Sequence, residues 1–370
     1  MDFTVRKFDI LHEVSLTQGV VEKKTTMPIL ANLLMNANDE NIQLAATDLD
    51  LGIVSSCTGK VKKTGGITTP AKNFLDIIRS LPDEEIKIKW LENNWVQIKC
   101  ASAAFKIVGL STDNFPELPE FKNPLVEIPG KGLLSLINRT IFSVAQEESR
   151  FALNGALLLI KPLSINMVAT DGHRLAHIEK EANFDHLNEE ISALIPRKAL
   201  AELQRLLAEV GEEEMVSFGK DDTHLFFRLG KRLMISRMLT GQFPNYEAVL
   251  PKENKQSIIL DREELSSAIK RVSLLANDKS RSIRLVLENN KLEISSSNAE
   301  LGEAKEEITT TYSGGKIQIG FNCQYLLDFL NATEDPSVSF DFKDSQNAGQ
   351  LRPATEDEYR YRYIIMPMRI

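Results

Sequence analysis

The sequence is poor in the residues that usually announce chemistry. Its three cysteines, Cys57, Cys100 and Cys323, are odd in number and scattered, with no CxxC spacing. That excludes a disulfide framework and a zinc ribbon, and leaves buried reduced thiols as the plain reading. Five histidines offer little for a metal cluster. The longest apolar run, residues 156–160, is far short of the roughly 20 residues that span a bilayer. The opening MDFTVRKFDILHEV is interrupted by Asp2, Asp9 and Glu13, so it does not read as a signal peptide, and a soluble cytoplasmic protein is expected. Without a secretory signal, the sequons at Asn138 and Asn331 carry no weight. There is no G-x-x-x-x-G-K-[ST] phosphate loop, no G-x-G-x-x-G and no G-x-S-x-G nucleophile elbow.

Positive charge is also in deficit. The net charge is −8, which at first sight argues against a nucleic-acid binder, since these carry a basic excess. A sum can hide a local basic stripe, so distribution matters more than the total.

What the chain does contain is a long internal repeat. Its 370 residues suit two to three domains. Asp48 in IQLAATDLDLGI, Asp171 in INMVATDGHRLAHI and Asn298 in LEISSSNAELGEA occupy matching places, 123 and 127 residues apart. Downstream, Pro70, Pro196 and Asn322 each precede a short amphipathic helix at intervals of 126 residues. Upstream, VRKFDILHEVSLTQGV, PGKGLLSLINRTIFSVA and DREELSSAIKRVSLLAN read as helices. In the last, Leu265, Ala268, Ile269, Val272 and Leu275 keep helical spacing. Each is followed by a strand, ILANLLMNA, NGALLLIK or SIRLVLEN, whose alternation suits half-buried antiparallel sheets. Pro-bearing linkers, residues 114–124 and 242–255, share Phe-Pro and end the first two copies. The expected domains are 1–121, 127–249 and 256–370. Three copies of an α+β unit close into a ring or run as an array, and the repeat alone does not choose.

Basic residues recur near the helix ends: Lys72, then Arg197 and Lys198, on the downstream helices, and Lys23, Lys24, Arg150, Lys279 and Arg281 in the loops after the upstream ones. The third downstream helix, NCQYLLDFL, has none. Such groups touch phosphates without reading bases, or are ordinary solvated charge, and spacing alone favours the latter. No aromatic-and-basic platform for single strands, helix-turn-helix or zinc-finger spacing is evident.

ATDGHRLA, residues 169–176, sets Asp171 beside His173, and His177 follows four residues later. One reading is a metal-assisted hydrolase using Asp171, His173 and His177, although the glutamate of H-E-x-x-H is missing. The better reading is a tight hairpin turn, because Gly172 readily takes positive φ and aspartate tolerates it.

The combination of ATDGHRLA, the closing YIIMPMRI, MPILANLL and GQFPNY resembles the bacterial sliding clamps, the DNA polymerase III β-subunit family, over the whole chain. The resemblance implies three tandem processivity-fold domains, α+β, with antiparallel sheets outside and helices lining a ring. Two chains would close head to tail around duplex DNA. It implies a non-catalytic subunit of a polymerase holoenzyme with no cofactor, acting in replication and repair. The implied partners are duplex DNA read without sequence preference, a second copy, polymerase subunits and other proteins bearing a clamp-binding motif, and an ATP-dependent loader, with no membrane. Acidic outer sheets would repel stray DNA while basic residues inside steady the duplex. The DNA-facing candidates are Lys24, Lys72, Arg150, Arg197, Lys198, Lys279 and Arg281. A client-peptide pocket would comprise Leu153, Thr170, Gly172, His173, Arg174, Leu175, Pro244, Val249, Asn322, Tyr325, Ile364, Met366, Pro367, Met368 and Arg369. Subunit contacts would use Phe105, Ile107 and Leu110 against Leu274 and Leu275, with residues 303–308 supplying charge. Ala152 and Ala248 depart from the family pattern.

Overall fold

A computed structural model describes residues 1–21, 26–147, 151–251, 256–355 and 358–369. Six α-helices occur among them: α1 (Lys7–Thr17), α2 (Ala71–Ser80), α3 (Gly130–Asn138), α4 (Arg197–Leu207), α5 (Arg262–Ser273) and α6 (Cys323–Ala332). They alternate in pairs with hairpins of antiparallel strands, as the repeat requires. Pro70, Pro196 and Asn322 each stand immediately before a helix. Proline cannot donate a backbone N–H, and none is needed there. Asn322 instead caps α6 by accepting from the Gln324 N–H at 2.9 Å. In α5 the buried residues are Leu265, Ser266, Ala268, Ile269 and Val272, the apolar stripe expected from the spacing.

Packing groups the chain into two units, Met1–Leu134 with Ala201–Met238, and Ser135–Leu200 with Leu239–Ile370. Each is built from two sheets. In the first unit a five-stranded sheet runs in the order Lys60–Lys63, Asp2–Arg6, Glu85–Trp90, Trp95–Cys100 and Ala103–Val108. Isoleucines and valines at alternate positions, including Ile86, Ile88, Val96 and Ile98, are buried with Phe3, Phe74 and Ile78 of α2. An eight-stranded sheet in the same unit pairs Arg232–Arg237 with Leu51–Thr58, Met234 opposite Ile53.

The second unit repeats the plan. Its eight-stranded sheet pairs Arg174–Glu181 with Tyr359–Ile365, Leu175 opposite Ile364. Its four-stranded sheet ends on Gly302–Thr309. The middle repeat therefore gives strands to the large sheet of each unit. One middle-repeat strand in each large sheet, Arg232–Arg237 or Arg174–Glu181, ladders with a strand of the first or third repeat and so lies inside its sheet, while Val126–Pro129 and Ile191–Pro196 end theirs. That ladder pairing is why a threefold sequence period packs as two units.

Candidate functional site

The hairpin that carries ATDGHRLA joins the strands Ser164–Thr170 and Arg174–Glu181. Asp171 Oδ1 accepts from the backbone N–H groups of His173 at 2.9 Å and Arg174 at 3.1 Å. Thr170 Oγ1 donates to Arg174 O and accepts from the Gly172 N–H. The first repeat builds the same turn: Asp48 Oδ1 accepts from Asp50 and Leu51, and Thr47 Oγ1 donates to Leu51 O. In the third, Asn298 Oδ1 accepts from the Glu300 N–H. Aspartate in the first two copies and asparagine in the third form the turn. Gly172 has φ 90°, and its counterpart Leu49 is held at φ 81°.

Arg174 is buried, and its guanidinium is fully engaged. Nε donates to Asp171 Oδ2 at 3.0 Å, Nη1 to Asp328 Oδ2 of α6 at 2.5 Å and Nη2 to Phe142 O at 2.5 Å. The plane lies 4.2 Å over the Tyr325 ring. Burial opposes its charge, but Tyr363, Asp328 and Asp171 outweigh burial and raise its pKa. Arg174 thus ties the hairpin to α6 and to the loop before residue 148, rather than presenting a free polar group at a rim. A polar cavity of about 480 Å³ lies around it, lined in part by Gln146, His173, Arg197 and Gln324.

An apolar cluster lies beside the hairpin. Val168, Leu175 and Ile364 are its buried members, and the partly buried Leu157, Phe243, Tyr246, Leu250 and Ala348 pack against them. The C-terminal segment is stitched alongside: Met366 N–H donates to His173 O at 2.9 Å, and Met368 N–H to Gly320 O at 2.8 Å. Met366 remains 45% exposed. Tyr363, at the end of the same strand, donates from its hydroxyl to Tyr325 O.

Of the expected pocket residues, Leu175 and Ile364 are buried in the cluster, and Thr170, Gly172, His173 and Arg174 form the adjoining turn. Asn322 and Tyr325 sit at the start of α6, and Met366, Pro367, Met368 and Arg369 follow the last strand. Leu153 is half-buried, while Pro244 and Val249 are exposed. The residues of that stretch that pack on the cluster are Phe243, Tyr246 and Leu250, none of them among the expected pocket residues. Their spacing of three and four in QFPNYEAVL was the available signal, submerged in a segment read as a linker.

The hydrolase reading is corrected by the same geometry. Asp171 is committed to the turn and to Arg174. His177 is buried, its Nε2 lies 3.3 Å from Asn166 Oδ1 and its ring is 5.4 Å from that of Tyr246. Burial pushes its pKa down to about 4; Glu179 opposes the shift, and Arg362 and Lys161 reinforce it. Among the described residues no group of three or more His, Cys, Asp or Glu is placed to hold a metal.

Of the basic candidates, Lys72 and Lys198 are exposed in the first turns of α2 and α4, and Lys279 is exposed in its loop. Arg197 differs: its Nη1 donates to Val144 O at 3.0 Å, and it lines the polar cavity, so it holds a loop. Arg281 reaches Gln324 Oε1 at 3.4 Å, and Gln324 is the third-repeat counterpart of Lys72 and Lys198. Lys24 and Arg150 lie outside the described residues. Among the contact candidates, Phe105 and Ile107 turn toward their own unit's core. Leu110 and Leu274 are exposed, by 39% and 77%, and Leu275 is half-buried.

Comparison with known proteins matches this arrangement. Family profiles for the DNA polymerase III beta subunit match in order: its N-terminal domain over residues 1–119, its central domain over 127–245 and its C-terminal domain over 247–369. The chain is 35% identical over 372 residues to the beta sliding clamp of Pseudomonas aeruginosa and 31% identical over 372 residues to that of Vibrio cholerae, with both chains of each pair fully covered. The crystal structure of the P. aeruginosa polymerase III beta subunit superposes with a TM-score of 0.94 at 35% identity over 100% of both chains. That of the Bartonella birtlesii sliding clamp, bound to griselimycin, gives 0.94 at 33%, again over 100% of both chains. With three clamp domains of antiparallel sheets and few helices, the chain belongs to the DNA polymerase III beta subunit family, the bacterial sliding clamps.

Proposed function

We propose that the protein is a DNA polymerase processivity factor: a head-to-tail dimeric ring that encircles duplex DNA, slides along it and tethers replicative and repair polymerases. The observation that carries the tether is the partly exposed apolar cluster around Leu175 and Ile364, with an exposed methionine in the adjoining C-terminal segment. We infer that this cluster opens as a peptide cleft for one or two hydrophobic side chains of an extended peptide, and methionine adapts to more than one ligand. Clients are proteins bearing such a peptide.

Ring closure is supported by two open sheet edges. Ala103–Val108 ends the five-stranded sheet and Gly302–Thr309 ends the four-stranded one. Exposed edges invite strand pairing with another chain, and Val108, Leu110 and Leu274 add apolar contact. Lys72, Lys198, Lys279 and Arg281 steady the duplex through exchangeable phosphate contacts, while topology supplies retention. In this reading the domains are 1–121, 127–249 and 256–370, the protein works in the cytoplasm without catalysis, and an ATP-dependent loader opens the ring.

The test is retention on DNA. Loaded protein should stay on nicked circular DNA and run off after linearisation; equal retention on both refutes the ring. Deleting residues 366–370 should abolish binding of polymerase-derived peptides while sedimentation still shows a dimer. Unchanged peptide affinity refutes the cleft.

A further inference from the structure

Acidic outer sheets are what the resemblance implied, and one sheet reverses that expectation. In the five-stranded sheet, Lys63, Asp2, Lys89, Gln97 and Lys106 are successive cross-strand partners, one from each strand. Directly opposed residues share a face, and this is the face turned away from the core. The neighbouring row adds Lys60, Lys87 and Lys99. Two of these lysines have acidic partners: Lys60 pairs with Glu85 and Lys87 with Asp2. Among the described residues Lys63, Lys89 and Lys106 have no carboxylate within ion-pair distance. Within one chain, whose net charge is −8, positive charge without an ion partner is therefore concentrated on one sheet.

Both tryptophans of the chain are at the end of this sheet. Trp90 is 37% exposed and Trp95 is 40% exposed. With Lys63, Lys89, Lys106 and the single acid Glu92 they line an open groove of about 840 Å³. Tryptophan is among the costliest side chains to leave in water, so two half-exposed rings ringed by lysines suit a ligand with flat apolar faces and negative charge. Single-stranded nucleic acid has both. Its bases stack on aromatic rings and its phosphates follow a basic track, whereas the bases of a duplex are already stacked on each other. The sequence reading found no such platform because its parts come from four strands and become adjacent only in the folded sheet.

We propose that this groove is a binding site for single-stranded DNA, distinct from the peptide cleft and from the DNA-encircling surface. One or two bases stack on Trp90 and Trp95, and Lys63, Lys89 and Lys106 hold the flanking phosphates. Strand pairing between subunits uses backbone groups of the Ala103–Val108 edge; Lys63 and Lys89 stand on other strands of the sheet, and Lys106 points from the edge strand to its face, so both can operate together.

Because both tryptophans of the chain are in the groove, tryptophan fluorescence, excited selectively over the six tyrosines, reports on it alone. Titrating the intact dimer with oligo-dT at low salt should quench that fluorescence. The affinity should fall with salt on a log–log slope of about −2, from three phosphate contacts. The double variant Lys63→Glu/Lys89→Glu, which leaves the Ala103–Val108 edge unaltered, should bind at least about tenfold more weakly with a flatter slope, and Trp95→Ala should weaken binding about tenfold through lost stacking. Both variants should keep their circular dichroism and their retention on circular duplex DNA. Three outcomes overturn the proposal: no quenching by oligo-dT in the unaltered protein, equal quenching by poly-glutamate, which would assign the groove to acidic polypeptides, or tighter binding of duplex than of single strand. None of these bears on the ring or the cleft, which are read by retention and by peptide binding.

Discussion

His177 makes the stability of the second unit depend on pH in a way that one substitution should erase. Folded His177 has a pKa of about 4, against an ordinary value of 6.5, chiefly because burial disfavours the imidazolium. Its Nδ1 has no hydrogen-bond partner among the described residues to compensate. Between pH 4 and 6.5 the unfolded chain binds a proton that the folded chain does not. Stability therefore falls as the pH drops through that window and is unaffected by this group above or below it. The full difference is about 3 kcal/mol, from 1.36 kcal/mol per unit of pKa. Integrated only from pH 7 to pH 5 it is about 2 kcal/mol. Valine is a good strand residue and carries no proton, so His177→Val should be close to the parent at pH 7 and about 2 kcal/mol more stable relative to it at pH 5. The assay is urea unfolding of both proteins at the two pH values, followed by hydrogen exchange in the strand Arg174–Glu181 so that the second unit is read separately. An NMR titration of the parent supplies the folded pKa directly. If the two proteins lose stability in parallel on acidification, or if His177 titrates near 6.5 in the folded state, the argument from burial is wrong.

Two further substitutions test the hairpin architecture. Leu49 sits at φ 81° where its repeat counterpart is Gly172 at φ 90°. Left-handed backbone costs a branched residue about 1–2 kcal/mol, so Gly172→Ala should destabilise by at least about 1 kcal/mol, and Leu49→Gly should be neutral or stabilising despite the greater freedom of unfolded glycine. Thermal unfolding decides, and a Gly172→Ala protein as stable as the parent removes the argument. Arg174→Met should cost about 1–3 kcal/mol, since it removes the ion partner of the half-buried carboxylates of Asp171 and Asp328, which keep hydrogen bonds from backbone N–H groups and Gln324. Adding Asp328→Asn should recover part of that loss in a double-mutant cycle, and strict additivity would show that the pair is not coupled.

The contrast between Asp171 and Arg174 separates what is legible in a sequence from what is not. The turn built by Asp48, Asp171 and Asn298 closes hydrogen bonds two or three residues away, so its chemistry is contained in a short string and repeats visibly. The helix caps at Pro70, Pro196 and Asn322 are local in the same sense. Arg174 depends on Asp328, 154 residues distant, and on a carbonyl at Phe142. Nothing in ATDGHRLA distinguishes an arginine offered to a ligand from one clamped by its own fold. The lysine-rich sheet lies between these cases: alternation of lysine with isoleucine or valine in Glu85–Trp90 and Lys60–Lys63 predicts one charged face per strand, but only the register places those faces side by side. The third repeat shows why copy-by-copy comparison also misleads. Gln324 stands where the first two copies have Lys72 and Lys198, and the basic pattern looks broken there. In the fold, Arg281 of the preceding loop lies against Gln324, so positive charge returns to the start of the helix from a different element. A repeat constrains where a charge is needed more strictly than which residue number must supply it.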